Sequence, residues 1–196
     1  MRNQNKRLIR RICLIVGVCL LVAGAAVLVW WQWGISSAEE NVKSRVETIR
    51  SLIPEPQGAV LEERRDNSMA ALSLDGTDFV GIIEIPRYES VLPVGSEWGE
   101  VSEYPCRFSG SIYDRTMQIG ATSQSGQYDF YRELSAGDEV YFTDMEGNRF
   151  SYTITNMRYE EHADAAALSR DDAALTLFIK NMYGFEYLIV FCDTAE

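Results

Sequence analysis

Two β-prone runs around one tight turn occupy residues 139–157, Glu-Val-Tyr-Phe-Thr-Asp-Met-Glu-Gly-Asn-Arg-Phe-Ser-Tyr-Thr-Ile-Thr-Asn-Met. The central Asp144-Met-Glu-Gly147 carries the Asp and the Gly that a short hairpin loop prefers. The flanking residues are rich in β-branched and aromatic side chains, as is usual for strands with one buried face. The pattern therefore predicts a β-hairpin inside a β-rich domain.

Further short β-prone runs, separated by turn signals, lie on both sides of this hairpin. Together with the two runs of the hairpin they are Val80–Ile85, Val91–Val94, Met117–Gly120, Glu139–Thr143, Arg149–Met157, Leu175–Ile179 and Tyr187–Phe191. Two brief helical patches interrupt them, Tyr128–Leu134 and one within residues 163–174. Seven to eight short strands with few helices predict a mainly β domain, a closed barrel or a sandwich, over residues 76–196.

The N-terminal region has a different composition. The first 34 residues hold five basic residues and no acidic residue, and the 23 residues from Ile12 to Gly34 carry no charge. A helix of that length crosses a hydrocarbon core of about 30 Å. Because the basic residues precede the stretch, the sequence predicts a cytoplasmic tail (1–11), a transmembrane anchor (12–34) and an extracellular remainder. A cleaved signal peptide is disfavoured, since the small residues of the stretch lie in its middle.

A stalk and a linker are predicted between the anchor and the β-rich domain, over residues 35–75. A capping box at Ser37–Glu40 precedes an apolar stripe at helical spacing, and two prolines follow it. The stripe consists of Val42, Val46, Ile49 and Ile53. We expect this amphipathic helix to dock on its own domain or on a partner, with residues 58–75 as linker.

Charge and residue counts exclude several classes of function. Residues 35–196 carry 13 basic and 29 acidic residues, a net charge of −16, so nucleic acid is excluded as a partner. His162 is the only histidine, which excludes a multi-histidine zinc site, and no metal or other cofactor is predicted. Cys106 and Cys192 fall in the outer domain, where a disulfide is chemically allowed, and the sequence leaves their pairing open.

An ordered set of motifs in residues 76–196 resembles the sortases, the cysteine transpeptidases of Gram-positive cell surfaces. The motifs are Asp78-Phe-Val-Gly-Ile-Ile-Glu-Ile-Pro86, Leu92-Pro-Val94, Pro105-Cys-Arg107 with Gly110-Ser111, Leu134-Ser-Ala-Gly-Asp-Glu-Val140, Phe142-Thr-Asp-Met-Glu-Gly147, Leu175-Thr-Leu-Phe178 and Val190-Phe-Cys192. The resemblance is to a class B-like sortase domain. It implies a closed β-barrel of seven to eight strands with short helices, preceded by one transmembrane helix and an amphipathic stalk helix.

The same resemblance implies that the catalytic groups of the family are missing. Sortases use a Cys thiolate as nucleophile, a His for proton transfer and an Arg that holds the substrate carbonyl or its oxyanion. The positions that match His, Cys and Arg are Thr122, Lys180 and Tyr187. An acyl group on a lysine amine would be a stable amide, so the thiolate reaction cannot run here. The resemblance therefore implies a sortase homologue that is not an active sortase.

Such a homologue is expected to bind, scaffold or regulate during cell-surface protein or pilus assembly. The partners that the resemblance implies are a sortase, a pilin or other surface protein, or a sorting-signal peptide. The expected peptide groove is lined by Thr122, Ser123, Lys180, Tyr183, Phe185 and Tyr187. The competing interpretation is that these aromatic residues are ordinary barrel core.

Several alternatives stay open at this stage. One is an active transpeptidase or hydrolase in which Thr122 or Ser123 works with Lys180, because a neutral lysine can act as a general base. The plainer interpretation is a salt bridge from Lys180 to an acid such as Glu186. The other candidate groups are a nucleophilic Cys106 or Cys192, His162 as a base, and calcium at Glu160, Glu161, Asp164, Asp171 and Asp172. Buried thiols and a solvated acidic surface explain the same residues without chemistry.

Overall fold

The computed structural model describes residues 2–55, 57–58, 67–101, 103–124, 126–163, 168 and 173–195. The chain divides into two compact units, residues 1–39 and residues 40–196. One α-helix, α1, extends over Arg2–Leu52. In the first unit, the large aliphatic side chains that the structure describes are 51% to 76% exposed. Within the part of the chain that the structure describes, we find no helix with the length and apolarity needed to span a membrane.

The second unit is built on one sheet that closes on itself. Within the described residues, eight strands form the barrel in the order β8-β10-β9-β6-β5-β4-β3-β7, and β7 pairs again with β8. Two further short strands pair with barrel strands, β1 with β8 and β2 with β3. The prediction of a mainly β, closed barrel is confirmed. The strands are β1 Gln57–Gly58, β2 Leu72–Leu74, β3 Thr77–Ile85, β4 Ser90–Gly95, β5 Cys106–Ser109, β6 Met117–Thr122, β7 Glu139–Asp144, β8 Asn148–Glu160, β9 Leu175–Lys180 and β10 Tyr187–Thr194.

The barrel interior takes every second residue of the strands. Leu175, Leu177 and Ile179 of β9 all lie in the interior core and are at most 1% exposed. Phe178, between them, belongs to a separate apolar cluster with Ile189 and other side chains outside the barrel. Because successive side chains of a strand point to opposite faces, this alternation also sends Lys180 to the outer face.

The predicted hairpin connects β7 and β8. Asp144 ends β7, is 2% exposed, and its Oδ1 accepts the backbone N–H groups of Glu146 at 2.9 Å and Asn148 at 2.8 Å. Gly147 has a φ of 84°, in the left-handed region that favours glycine. The Asp and the Gly therefore close this turn for separate reasons, one by capping N–H groups and the other by its backbone conformation.

The predicted stalk packs on its own barrel. Val46 is 6% exposed and Ile49 is fully buried, and Ile49 and Ile53 pack in the cluster around Phe79 and Ile82 of β3. The predicted helix start at Ser37 is wrong, because α1 continues without a break through that position. A capping box marks where a helix can begin, but a chain that is already helical upstream has no terminus to cap.

Two further predictions need correction. Part of the predicted linker is sheet, because β1 and β2 both lie within residues 57–74. The helical patch Tyr128–Leu134 is only a short 3-10 helix, Tyr131–Glu133. Tyr128, Tyr131 and Leu134 are all buried in the interior core, and their spacing of three matches three residues per turn rather than 3.6. The second patch, within residues 163–174, lies mostly outside the described residues.

Candidate functional site at the ends of three neighbouring strands

Three of the residues singled out in the sequence meet on adjacent strands. In the parallel pair β6 and β9, Thr122 lies opposite Lys180, and in the antiparallel pair β9 and β10, Lys180 lies opposite Tyr187. Directly opposed residues point to the same face of a sheet. Thr122, Lys180 and Tyr187 therefore form a row across the outer face of the barrel, with Lys180 in the middle.

A pocket of about 850 Å³ opens beside this row. Lys180 and Tyr187 line it together with Phe185 and Glu186 from the connection between β9 and β10. Its complete described lining is Glu161, His162, Ala163, Lys180, Gly184, Phe185, Glu186 and Tyr187, and we call it the strand-end pocket. Thr122, the last residue of β6, lies opposite the pocket residue Lys180, and Ser123 follows it; they are 5% and 6% exposed.

His162 belongs to this pocket, which the sequence did not indicate. The sequence placed it in a solvated acidic loop, distant along the chain from the predicted groove. The structure explains the difference through β8, which is 13 residues long and ends at Glu160, directly opposite Tyr187. The two residues that follow, Glu161 and His162, are exposed and reach the same end of the sheet as Lys180.

The β9–β10 loop, residues Asn181–Glu186, is held by hydrogen bonds. The backbone N–H of Asn181 donates to Glu186 O at 3.0 Å, and its side-chain Oδ1 accepts the N–H of Tyr183 at 3.0 Å. The N–H of Met182 donates to Ser123 Oγ at 3.0 Å. Tyr183 and Phe185 nevertheless project outward, 91% and 98% exposed, so they are not barrel core.

The two hydroxyls next to Lys180 do not form a dyad with it. Ser123 Oγ accepts the N–H of Met182, and the N–H of Ser123 donates to Lys180 O at 2.9 Å. Thr122 Oγ1 is buried and has no hydrogen-bond partner, while the Thr122 N–H donates to Gln127 Oε1 at 3.0 Å. A general base has to lie within hydrogen-bond reach of the proton that it removes. Ser123 therefore fixes the loop, and Thr122 is a buried strand residue.

Lys180 itself is exposed and carries its charge without a described counterion. No carboxylate in the described part of the chain lies within ion-pair distance of its Nζ. The salt bridge to Glu186 that the sequence suggested is absent among these residues, because Glu186 Oε1 instead accepts Asn181 Nδ2 at 3.3 Å. Among the described residues, no acid therefore neutralises this ammonium group.

The cysteines are structural. Cys106 and Cys192 are both fully buried, lie in two different apolar clusters and are not joined by a disulfide. Burial raises the pKa of the Cys192 thiol, and the neighbouring Asp193 carboxylate raises it further. A buried neutral thiol is a poor nucleophile. The structure thus favours the interpretation of both cysteines as core residues.

The calcium hypothesis has no support in the described residues, which contain no group of three or more metal-ligating side chains. Glu160 is paired with Arg158, whose Nε lies 3.2 Å from its Oε1. Asp164, Asp171 and Asp172 lie outside the described residues.

A covered glycine beside the row was missed in the sequence. Trp98 lies over Gly120 of β6, so that a Cβ at position 120 would come within 2.0 Å of the indole and 2.6 Å of the Phe178 ring. Trp98 also contacts Phe108, with ring centroids 5.2 Å apart, and both rings are partly exposed. A glycine inside a strand is the one sequence signal for such close approach.

Solved structures resemble this barrel. Sortase C1 from Streptococcus agalactiae superposes with a TM-score of 0.53 at 18% identity, over 63% of this chain and 71% of that one. The barrel has the sortase fold. Sortase A from Corynebacterium diphtheriae gives a TM-score of 0.52 at 13% identity over 83% and 84% of the two chains. A pilus-related sortase C of Group B Streptococcus gives 0.51 at 16% identity over 82% and 91%.

The likeness to sortases is therefore one of fold, since at these identities a shared fold does not carry a shared activity. No protein-family model matches the sequence, and no curated protein matches it. The three sortases above are of classes A and C, so they give no support to the class B-like character that the sequence motifs suggested.

Proposed function

We propose that this protein is a membrane-anchored, extracellular sortase homologue that binds a partner in cell-surface protein or pilus assembly and performs no sortase reaction. The observation that carries the proposal is the row Thr122, Lys180, Tyr187 across three adjacent strands. The sequence resemblance puts the His, Cys and Arg of sortases at these positions. With a lysine in the middle and a buried hydroxyl beside it, the row lacks a thiolate and an imidazole.

The strand-end pocket supports a binding role. It offers about 850 Å³ beside the row, with two aromatic rings and the Lys180 ammonium group in its described lining. Pockets of this size that combine apolar walls with a few polar groups are typical binding sites. A pilus-related sortase is among the structures of the same fold, which supports a surface protein, a pilin, a sortase or a sorting-signal peptide as the occupant.

The membrane anchor is part of the proposal and rests on the sequence. The uncharged stretch from Ile12 to Gly34 follows five basic residues, which predicts a cytoplasmic N-terminus and an extracellular barrel. The described aliphatic side chains of this stretch are exposed on α1, as side chains that face lipid would be. Protease protection of the intact chain in sealed vesicles tests this topology.

Mass spectrometry tests the absence of sortase chemistry. The full chain in neutral detergent is incubated with a panel of sorting-signal peptides and an amine acceptor, beside an active sortase as positive control. We expect no cleaved peptide and no covalent adduct from this chain, and the same result from Lys180→Ala. Cleavage that disappears in Lys180→Ala would establish instead an enzyme with a rearranged site, and the position of an adduct would identify its nucleophile.

A further inference from the structure

The β9–β10 loop exposes several large apolar side chains to solvent. Tyr183 is 91% exposed, Phe185 is 98% exposed and Met182 is 49% exposed, three large apolar side chains within four residues. Single exposed apolar residues are normal on protein surfaces, but a contiguous group beside a pocket is typical of an interaction site.

Hydrogen bonds hold the backbone of the exposed loop. Four consecutive backbone N–H groups, those of residues 181 to 184, have acceptors in the loop or on Ser123. Gly184 approaches Asn181 so closely that a Cβ at this glycine would lie 2.6 Å from Asn181 Nδ2. The aromatic rings are therefore carried on a preorganised backbone, and a partner that binds them loses little loop entropy.

Two carboxylates and one ammonium group stand in the described lining of the strand-end pocket beside the loop, so acidic groups outnumber basic ones there. Glu161 and Glu186 line the strand-end pocket, and Lys180 is the only lysine or arginine among its described lining residues. The sequence outside the N-terminal 34 residues carries a net charge of −16. Complementary charge steers a basic partner toward such a surface and repels an acidic one.

We propose that the β9–β10 loop and the strand-end pocket dock a segment of a partner protein that carries arginine beside apolar side chains. Guanidinium groups stack on aromatic faces and pair with carboxylates through two hydrogen bonds, so arginine matches both parts of this surface better than lysine. This inference rests on the proposed binding function and names the chemistry of the partner. An anionic membrane surface is a poorer match, because it repels acidic side chains.

Fluorescence anisotropy of the full chain in neutral detergent tests the proposal. The probes are three labelled eight-residue peptides in which leucine alternates with arginine, lysine or glutamate. We expect the arginine peptide to bind several-fold more tightly than the lysine peptide and at least about tenfold more tightly than the glutamate peptide. Tyr183→Ala and Phe185→Ala should each weaken arginine-peptide binding about tenfold. The double variant Glu161→Gln with Glu186→Gln should remove most of the preference for arginine over glutamate.

Matched controls are an exposed apolar residue and an exposed acid away from the pocket lining, Leu52→Ala and Glu97→Gln, which should bind as the unchanged chain does. Equal binding of the arginine and glutamate peptides overturns the proposal. So does an equal loss in Leu52→Ala, attachment to anionic lipid vesicles that depends on Phe185, or self-association that depends on Phe185.

Mass spectrometry of the same samples separates this inference from the function on which it rests. Arginine-peptide binding together with cleavage of sorting-signal peptides would leave the docking surface standing and overturn the non-catalytic function. Loss of the arginine preference without any cleavage would overturn the docking surface alone.

Discussion

The β7–β8 turn and the β9–β10 loop are closed by the same kind of hydrogen bond, but the first packs its apolar side chain on the protein and the second exposes its aromatic rings. Asp144 begins the first connection and Asn181 the second, and in each the side-chain Oδ1 accepts a backbone N–H two residues ahead. Both side chains are buried, 2% and 5% exposed. The apolar residue of the first turn, Met145, packs against the cluster around Ile49 and Phe79. The rings of the second, Tyr183 and Phe185, face solvent.

Met145 shows that a connection closed by this kind of hydrogen bond can return an apolar side chain to the protein. The β9–β10 loop does not do this, and the exposure of its two rings therefore needs an explanation of its own. A partner that binds at the neighbouring strand-end pocket and covers Tyr183 and Phe185 would explain why these rings are exposed. Variants can test this comparison. Replacing a side chain that stabilises the fold should lower the free energy of unfolding, whereas replacing one that contacts a partner should weaken binding.

The largest effect is expected from Asp144→Ala, which should lower the free energy of unfolding by about 3 kcal/mol. The variant removes the acceptor for the N–H groups of Glu146 and Asn148, and for Tyr113 Oη and Asn148 Nδ2, at a nearly completely buried site. Urea denaturation measures the loss. Asp144→Asn is the control and should retain part of the stability, since its Oδ1 still accepts. A loss below about 1 kcal/mol would show that water replaces these bonds.

Asn181→Ala should lower the free energy of unfolding by a smaller amount, about 1.5 kcal/mol. The side chain closes the β9–β10 loop through the N–H of Tyr183 and the carboxylate of Glu186. Hydrogen exchange should show the Tyr183 amide losing its protection in this variant, while amides within β9 keep theirs. Asn181→Asp, which retains the acceptor, serves as control for the Tyr183 bond. An unchanged Tyr183 amide would show that the loop is held by its backbone alone.

The turn before β7 predicts a smaller, pH-dependent effect at Asp138, whose carboxylate accepts the backbone N–H of Ser135. Burial by itself would raise the pKa of Asp138, but hydrogen bonds from Arg87, the Ser135 N–H and Tyr88 outweigh it and lower the pKa below its usual value. The folded chain therefore binds fewer protons here than the unfolded chain. The resulting stability is present above the unfolded pKa of about 4 and is lost as the pH falls through the folded pKa.

Asp138→Asn is the matched variant for this pH effect. It should be less stable than the unchanged chain at pH 7, and the difference should shrink as the pH is lowered below about 4. Thermal unfolding at a series of pH values measures both chains. A difference that stays constant over the series would mean that the Asp138 carboxylate does not titrate with unfolding.

The fold was largely predictable because its signals are local. The Asp144–Gly147 turn and the β-prone run Leu175–Ile179 are fixed by neighbouring residues, and both agree with the structure. The predictions that failed concern residues whose secondary structure depends on an upstream or distant segment of the chain. The capping box at Ser37 did not start a helix, since α1 already continues through it. β2 falls in a predicted linker because its three residues form a strand only through pairing with β3.

The site was predictable only in part, for a similar reason. Cross-strand register brings Thr122, Lys180 and Tyr187 together, and the order of the motifs anticipated that row. His162 was placed elsewhere, because the length of β8 decides where the following residues emerge. Trp98 was missed because its partner is a glycine, and a glycine gives no indication of which ring covers it.

The smallest effect on stability is expected from the double variant Tyr183→Ala with Phe185→Ala, which should change the free energy of unfolding by less than about 0.5 kcal/mol. These rings bury almost no surface in the isolated chain, so their removal leaves the core unchanged. The comparison with Asp144→Ala is made by urea denaturation under the same conditions. A loss as large as that of Asp144→Ala would mean that the rings are structural, and the contrast between the two connections would disappear. Unchanged stability together with weakened binding of the arginine peptide would assign the aromatic residues to a partner, because no contact within the chain would then account for them.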